Sequence, residues 1–355
     1  MNSPINHMPL PVSEQLLLLR YAAMITLLVL LTTLGVSMAG ASSFPDDNNA
    51  DLFGRLVVDA SDTDSDVSAA RIGAKKRFTE KLFGAFEVDF SHEVVEVDNA
   101  YLAFGRQKQL RIGTQKLIRG FSAATSTLHS SFVSRPRLFR LTGGLQRDVG
   151  IQGYFEQANW LLQPAFFLTD GDSRYTAAVR SVYRSSPAAR QAWHLGLSAH
   201  SAPGVTDPTF VDKNDRELML SAEGLVKQKT WYAAAEALVR TTGQRQLSGF
   251  YTDAAMIFGG EILYSRKKAA LSGRLVNRPL SDGGPGALEV AVRHEQISTR
   301  YHAQERDRQS QSEVSLIWYP EEQVRLIVGK QFVHNEGLEN EPETPEFQAR
   351  LQISF

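Results

Sequence analysis

The sequence contains no cysteine, so it has no disulfide framework, no thiolate nucleophile and no cysteine-based metal site. It has no excess of either charge: 38 Lys and Arg stand against 39 Asp and Glu, a formal charge of -1. That balance removes the general electrostatic case for a nucleic-acid partner or an acidic tail. Beyond residue 41 no 18 residues in a row are apolar, so no later helix is long enough to span a bilayer. A mature chain that lives in a membrane must therefore do so as a closed barrel. No G-x-S-x-G, H-E-x-x-H or phosphate-binding P-loop occurs. Asp62, Asp64 and Asp66 lack the closing Glu of a calcium loop and read as a solvated acidic loop within ASDTDSDVS. No cofactor or metal is expected.

The one long apolar run lies at the start. Arg20 precedes YAAMITLLVLLTTLG, and small residues follow in VSMAGAS. Basic flank, apolar core and small residues form the secretory signal pattern, with cleavage expected after Ala39 or Ala41. The stretch before Arg20 is long for a signal, which makes Met8 an alternative start. A membrane anchor is the competing reading, but Arg20 interrupts Leu16–Leu34 and leaves less than the ~20 residues a comfortable span needs. The expected organisation is a signal peptide over 1–41 and a barrel over 42–355.

After residue 50 the pattern has period two. Phe86, Val88 and Phe90 alternate with Glu87, Asp89 and Ser91; Trp193, Leu195, Leu197 and Ala199 alternate with His194, Gly196, Ser198 and His200. Leu288, Val290 and Val292 oppose Glu289, Ala291, Arg293 and Glu295, and the closing EFQARLQISF behaves likewise. Alternate side chains of a strand point to opposite faces. About sixteen such segments, each of about ten residues, match tilted strands crossing a hydrocarbon layer. A soluble barrel packs apolar groups inside, whereas one face here is apolar and the other charged, so the polar face lines something wet. Short links at 79–81, 157–158 and 320–321 contrast with long polar ones at 116–146, 201–215, 260–285 and 333–345. The expected fold is an all-β transmembrane antiparallel barrel of about sixteen strands, with short periplasmic turns and longer external loops. The stretch 260–285 has room for another hairpin. Tyr101, Trp160, Tyr183, Trp231, Trp318, Tyr319 and Phe355 lie near strand ends, where membrane girdles place aromatics.

Acidic residues are absent between Asp98 and Asp148, an interval that holds Arg106, Lys108, Arg111, Lys116, Arg119, Arg135, Arg137, Arg140 and Arg147, with His129 as a titratable addition. One reading is a basic surface loop beside lipid headgroups or lipopolysaccharide phosphates. The other is a pore-constricting loop, 116–146, with Arg106, Lys108, Arg111, Lys116, Arg119, Arg135, Arg137 and Arg140 as the candidate path residues for a small permeating anion. A narrow passage lined by one sign of charge concentrates counter-ions, and the guanidinium fork suits phosphate or carboxylate. Arg71, Lys75 and Arg77 share a polar face with Glu87 and Asp89 on the next strand, and Arg180, Arg293, Arg325 and Arg350 extend that lining. Ser198 lies between His194 and His200 on one strand. Residues two apart on a strand are ~7 Å apart, too far for a Ser–His bond without a bend, so no enzyme is expected.

LFGRLVVDA (52–60), RIGAKKRFTEKLFGAFEVDF (71–90), NAYLAFGRQKQLRIGTQK (99–116), SSFVSRPRLF (130–139), GLQRDVGIQGYF (144–155), GALEVAVRHEQIS (286–298), SLIWYPEEQVRLIVGKQFVH (315–334) and ARLQISF together resemble the phosphate-selective porin O/P family. The resemblance implies a sixteen-stranded barrel, usually a homotrimer, that admits anions or phosphorylated solutes past an inward third loop. Lys116 occupies the place of the lysine in that family's G-Q-F-K-E-P stretch, with Leu117 and Ile118 in place of Glu-Pro. Arg135 occupies the arginine of its M-E-R stretch, with Ser134 in place of Glu. The expected partners are outer-membrane lipid, lipopolysaccharide, other copies of the chain and small anionic solutes. A weakly selective porin, a loop-blocked structural barrel and a soluble periplasmic sheet protein are the alternatives.

Overall fold

The computed structural model describes residues 50–355 except 63–64, 92–93, 107, 144–146, 170–173, 187–190, 204–215, 244, 302–304 and 337–345. The expected signal peptide, 1–41, lies outside the described residues. Sixteen strands close into one antiparallel barrel. They are β1 (Ala50–Ser61), β2 (Ser65–Thr79), β3 (Leu82–Asp89), β4 (Glu96–Phe104), β5 (Lys108–Lys116), β6 (Arg147–Gln157), β7 (Trp160–Thr169), β8 (Arg174–Arg184), β9 (Ala192–Pro203), β10 (Arg216–Lys227), β11 (Trp231–Thr242), β12 (Arg245–Phe258), β15 (Ala287–Tyr301), β16 (Glu305–Glu321), β17 (Val324–Glu336) and β18 (Glu346–Ser354). Successive wall strands pair as neighbours, and β1 closes the circle on β18 with Leu56 opposite Ile353. Closure leaves no unpaired edge, which is what permits strands to cross a membrane.

The period-two pattern sets the two faces. Leu195 and Leu197 are 64% and 68% exposed on the outside, while His194 between β9's neighbours is fully buried. Phe86, Val290, Leu316 and Val328 are likewise exposed; Glu87, Glu289, Glu313 and Arg325 face inward and are buried. Apolar outside and polar inside is the arrangement lipid imposes. Trp160, Tyr183 and Trp193 cluster at one end of the outer face, with ring centroids 5.0 and 5.7 Å apart along the series. Tyr101 and Tyr319 depart from the girdle reading. Tyr319 is 3% exposed, with its hydroxyl on Glu289, and Tyr101 carries the Arg111 guanidinium on its ring. The acidic loop is also shorter than expected: β2 already begins at Ser65, and Asp62 accepts the Phe347 backbone N–H.

The links 80–81, 105–107, 158–159, 228–230 and 322–323 share one rim, here the turn rim. At the opposite, loop rim β5 leads into the segment that begins at residue 117, and β9 ends at Pro203. The connection 259–286 breaks the expected asymmetry, because it is long yet leaves from the turn rim. It contains a separate two-stranded sheet, β13 (Gly260–Ser265) and β14 (Ala270–Val276), paired only with itself. The segment 117–142 carries α1 (Phe121–Ala124), a 3-10 turn at Thr127–His129 and α2 (Arg137–Leu141).

Both insertions pack on the inward face of the wall. Phe121, Phe132 and Val133 of the segment and Ile262, Leu271 and Val276 of the hairpin join Tyr232, Tyr251, Ile257, Ile317 and Ile327 in one apolar cluster. Full burial of a side chain such as Phe132 is worth ~1.5–3 kcal/mol. The interior beside β10–β17 is therefore a packed core, where the alternation alone suggested a wet lumen.

Candidate functional site

Backbone groups carried into the interior have no ladder to join, and each buried N–H or C=O needs a partner. The inward-facing charges of the wall supply them. Glu236 accepts the Ser122 N–H at 3.0 Å. Glu295 accepts the N–H groups of Arg137 and Leu138, at 3.1 and 3.0 Å, at the start of α2. Arg325 donates to the carbonyls of Ser130 and Thr127 at 2.5 and 2.6 Å, and Arg293 donates to that of Ser134 at 2.9 Å. Gly120 opens the segment at φ +127, and a Cβ there would collide with the Glu236 carboxylate. Glycine is the residue that tolerates both conditions.

The hairpin is held in the same way from the other rim. Arg180, fully buried, donates to the carbonyls of Lys268 and Ala269 at 2.9 Å each, and pairs with Glu223 at 2.5 Å. Arg184 donates to the Arg266 carbonyl. Tyr264 bonds His194 Nδ1 at 2.9 Å. Further along, Arg274 grips Glu289 through Nε at 2.6 Å and Nη2 at 3.0 Å, and the same Nη2 donates to Ser131 at 3.0 Å. Ser131 also donates to Glu289 at 2.5 Å. The two insertions thus meet on one wall carboxylate.

Arg180, Arg293, Arg325 and Arg350, read from sequence as a solvated lining, are instead committed anchors. Arg293 is bidentate on Asp253 at 2.7 and 2.9 Å, and Arg350 on Asp59 at 2.6 Å twice. Charge-assisted bidentate pairs are the strong ones. His194 is likewise engaged by Tyr264 and by Glu223 at 3.3 Å, so it does not serve Ser198.

A second charged zone lies on β1–β6. Arg71 pairs with Asp89 at 2.5 Å and with Asp98; Arg147 reaches Asp98 at 3.0 Å, and Arg55 reaches Glu87 at 3.3 Å. Beside this balanced network stand four cations that make no ion pair among the described residues: Lys75, Arg111, Lys116 and Lys268. Arg111 rests on the ring of Tyr154 at 4.1 Å and bonds its hydroxyl at 3.2 Å. Lys75 lies over Phe53 at 4.5 Å, with Glu87 and Asp51 as its acidic influences. Arg135, Arg147, Lys268 and Arg55 are the charges that act most on Lys116. Lys268, at the hairpin tip, is solvent-exposed yet walled in by protein. That enclosure, with Lys75, Arg111 and Lys267, brings its ammonium down from the usual 10.5 to about 8. His129 is pushed well below its usual range by burial and by Lys268, Arg325, Arg274 and Arg55, so it is a neutral imidazole rather than a titrating one.

The eight loop-interval residues have different placements. Arg111 and Lys116 belong to the four-cation group, and Arg135 acts on Lys116 electrostatically while donating to the carbonyls of Ser122 and Thr125. Arg119 is 2% exposed and donates to the Thr142 carbonyl at 2.6 Å beneath Phe139. Arg137 begins α2 and is half-buried, and Arg140 is exposed on the same helix. Arg106 and Lys108 sit exposed at the turn rim, away from the others. Lys268 was not singled out from sequence; the only signal for it was the basic run RKK at 266–268, midway along a long connection.

A closed sixteen-stranded wall, apolar outside and charged inside, is that of a bacterial outer-membrane channel of the porin class. Residues 44–224 and 209–355 match the phosphate-selective porin O and P family, and the chain belongs to it. An uncharacterized protein of Caulobacter vibrioides is 23% identical over 282 residues, 68% of this chain; the chain spans 57% of that relative's length. Among solved structures, OmpF of Salmonella typhi in complex with daunomycin superposes with a TM-score of 0.62 at 11% identity, covering 88% of this chain and 99% of that one. The trimer form of the outer membrane protein OmpT of Vibrio cholerae gives 0.58 at 11%, covering 87% and 100%. An anion-selective porin from Comamonas acidovorans gives 0.53 at 10%, covering 86% and 99%. At these identities the likeness is one of fold.

Proposed function

We propose that this outer-membrane channel passes small anions by passive diffusion, phosphate or phosphorylated solutes among them, and performs no enzymatic step. The observation that carries the reading is the group Lys75, Arg111, Lys116 and Lys268, which holds four cations without an ion pair among the described residues, beside a network in which Arg55, Arg71 and Arg147 are paired with Glu87, Asp89 and Asp98. Such a group raises the local anion concentration. Weak contacts spread over several cations also allow release, which transport requires. The family's printed description supports phosphate as a solute. The turn rim is assigned to the periplasm, residues 1–41 to a cleaved signal peptide, and the working form to a homotrimer in lipid and lipopolysaccharide. The trimer form of OmpT supports the last point. A lumen blocked by its own insertions is the second reading, favoured by the packed core beside β10–β17. Reversal potentials in planar bilayers under a salt gradient test both. Anion preference is expected; a cation-selective pore sinks the anion reading, and absence of conductance favours the blocked barrel.

A further inference from the structure

The lipid-facing wall of β7–β10 has two aromatic edges of different composition. At the turn rim Trp160, Tyr183 and Trp193 pack on one another. At the loop rim Phe166 stacks on Tyr175 with ring centroids 5.2 Å apart, and the Arg216 guanidinium lies over the Tyr175 ring at 4.5 Å. Tyr175 and Tyr183 mark these edges on one strand, ~27 Å apart by strand rise, which the usual tilt converts to roughly 20 Å of the apolar band. Arg216 is the first residue of β10 and is exposed, continuing the outward series of Leu220 and Leu218. Neutral acceptors hold its guanidinium: Nε and Nη2 donate to Ser201 Oγ at 3.3 Å, and Nη2 to the Tyr175 carbonyl at 3.4 Å. Among the described residues these contacts fix its plane without compensating its charge. Farther round the wall Lys330 repeats the arrangement. Its Nζ lies 4.6 Å from the Phe347 ring and 5.4 Å from that of Phe332, both exposed, and Phe347 stands at the loop-rim end of β18. Among the described residues, the cations seated on outward-facing rings are these two, both at the loop rim. A cation beside hydrocarbon is costly unless an anion or water meets it.

We infer that Arg216 on its Tyr175–Phe166 platform, seconded by Lys330 between Phe332 and Phe347, binds a phosphate monoester of lipid A, the membrane-embedded part of lipopolysaccharide. A guanidinium donates in pairs to phosphate, and the rings seat it at the boundary between headgroup and acyl chain. The inference rests on the assignment of the turn rim to the periplasm, which puts the loop rim in the outer leaflet.

The experiment titrates the purified full-length protein in detergent with bis-phosphorylated lipid A, read by native mass spectrometry, and compares dephosphorylated lipid A and phosphatidylglycerol. Arg216→Gln is expected to weaken lipid A binding about fivefold or more, as loss of a charge-assisted pair of donors should. Arg216→Lys should recover only part of it, because an ammonium lacks the planar fork. Tyr175→Leu keeps every charge and should weaken binding as well. Lys81→Gln, at an exposed cation of the turn rim, should leave binding unchanged. Heat-modifiable gel migration checks that each variant keeps its barrel. Equal binding by Arg216→Gln and wild type, by dephosphorylated and phosphorylated lipid A, or by phosphatidylglycerol and lipid A overturns the site. A separate measurement reports the orientation: in intact cells Lys213→Cys, in a chain with no other cysteine, should react with a membrane-impermeant maleimide. Absence of labelling, with binding in detergent intact, overturns the turn-rim assignment and with it lipid A as the cellular occupant.

Discussion

Arg180 and Ala269 are 89 positions apart in the chain, and the Arg180 guanidinium donates to the Ala269 carbonyl across 2.9 Å inside the barrel. Glu223 neutralises the same guanidinium from the next strand but one, with Gln163 at 2.8 Å completing its set. A wall strand, and not the hairpin's own turn, therefore determines where the tip sits.

Removing that guanidinium should free the tip. Arg180→Met leaves Glu223 buried without its guanidinium, with only His194 beside it at 3.3 Å among the described residues, a change that costs ~3–5 kcal/mol locally. The expected result is higher single-channel conductance and more current noise, with the barrel still resisting unfolding in detergent at room temperature. Conductance equal to wild type would show that the hairpin does not narrow the path.

The segment 117–142 should loosen when Glu295 loses its charge. Hydrogen bonds to a charged acceptor contribute ~1.5–3 kcal/mol, and Glu295 accepts two of them at the start of α2. Glu295→Gln in liposomes should show faster tryptic cleavage after Arg137 and Arg140 than wild type, with an intact barrel band. Unchanged cleavage would mean that the apolar packing of Leu138 and its neighbours suffices.

Selectivity should depend on pH through Lys268. Its ammonium titrates at about 8, so it is charged below that value and neutral above it. Anion preference is therefore expected to be full near pH 6.5 and to decline between pH 7 and pH 9. Reversal potentials across that range should show the decline in wild type and a shallower one in Lys268→Gln, where Lys267, also brought down to about 8, remains.

The outer face gives a stability prediction. Leu197 is exposed toward lipid and Ser198 is buried inward. Leu197→Arg at the wall surface should cost ~2–4 kcal/mol in a bilayer if it lies near mid-depth. Refolding yield into vesicles measured against urea should fall accordingly, and Leu197→Met should leave it within error.

The barrel was legible because lipid outside and charge inside leave a period-two record in every wall strand. Strand ends were less so. β16 runs from Glu305 to Glu321, well beyond the expected ten or so residues, because its ladder with β15 and β17 continues where the apolar band has stopped. The inserted hairpin was legible only as room within 260–285, since β13 and β14 have six and seven residues and bury parts of both faces. The interior arginines were visible as a polar face, but their work was not. Arg325 serves Thr127 from 198 positions away and Arg293 serves Ser134 from 159, and no local pattern reports a partner across a barrel. The basic interval, for the same reason, did not distinguish Arg119 and Arg135, which brace the segment itself, from Arg111 and Lys116.

The shared hold of Ser131 and Arg274 on Glu289 also bears on the order of assembly. Ser131 leaves the ribosome 158 residues before Glu289, and Thr127 waits 198 residues for Arg325. Contacts of such separation form late, after the chain entropy of long loops has been overcome. The contents of the barrel can reach their final positions only once the last third of the wall exists, so a truncated or stalled chain would carry an unsealed interior.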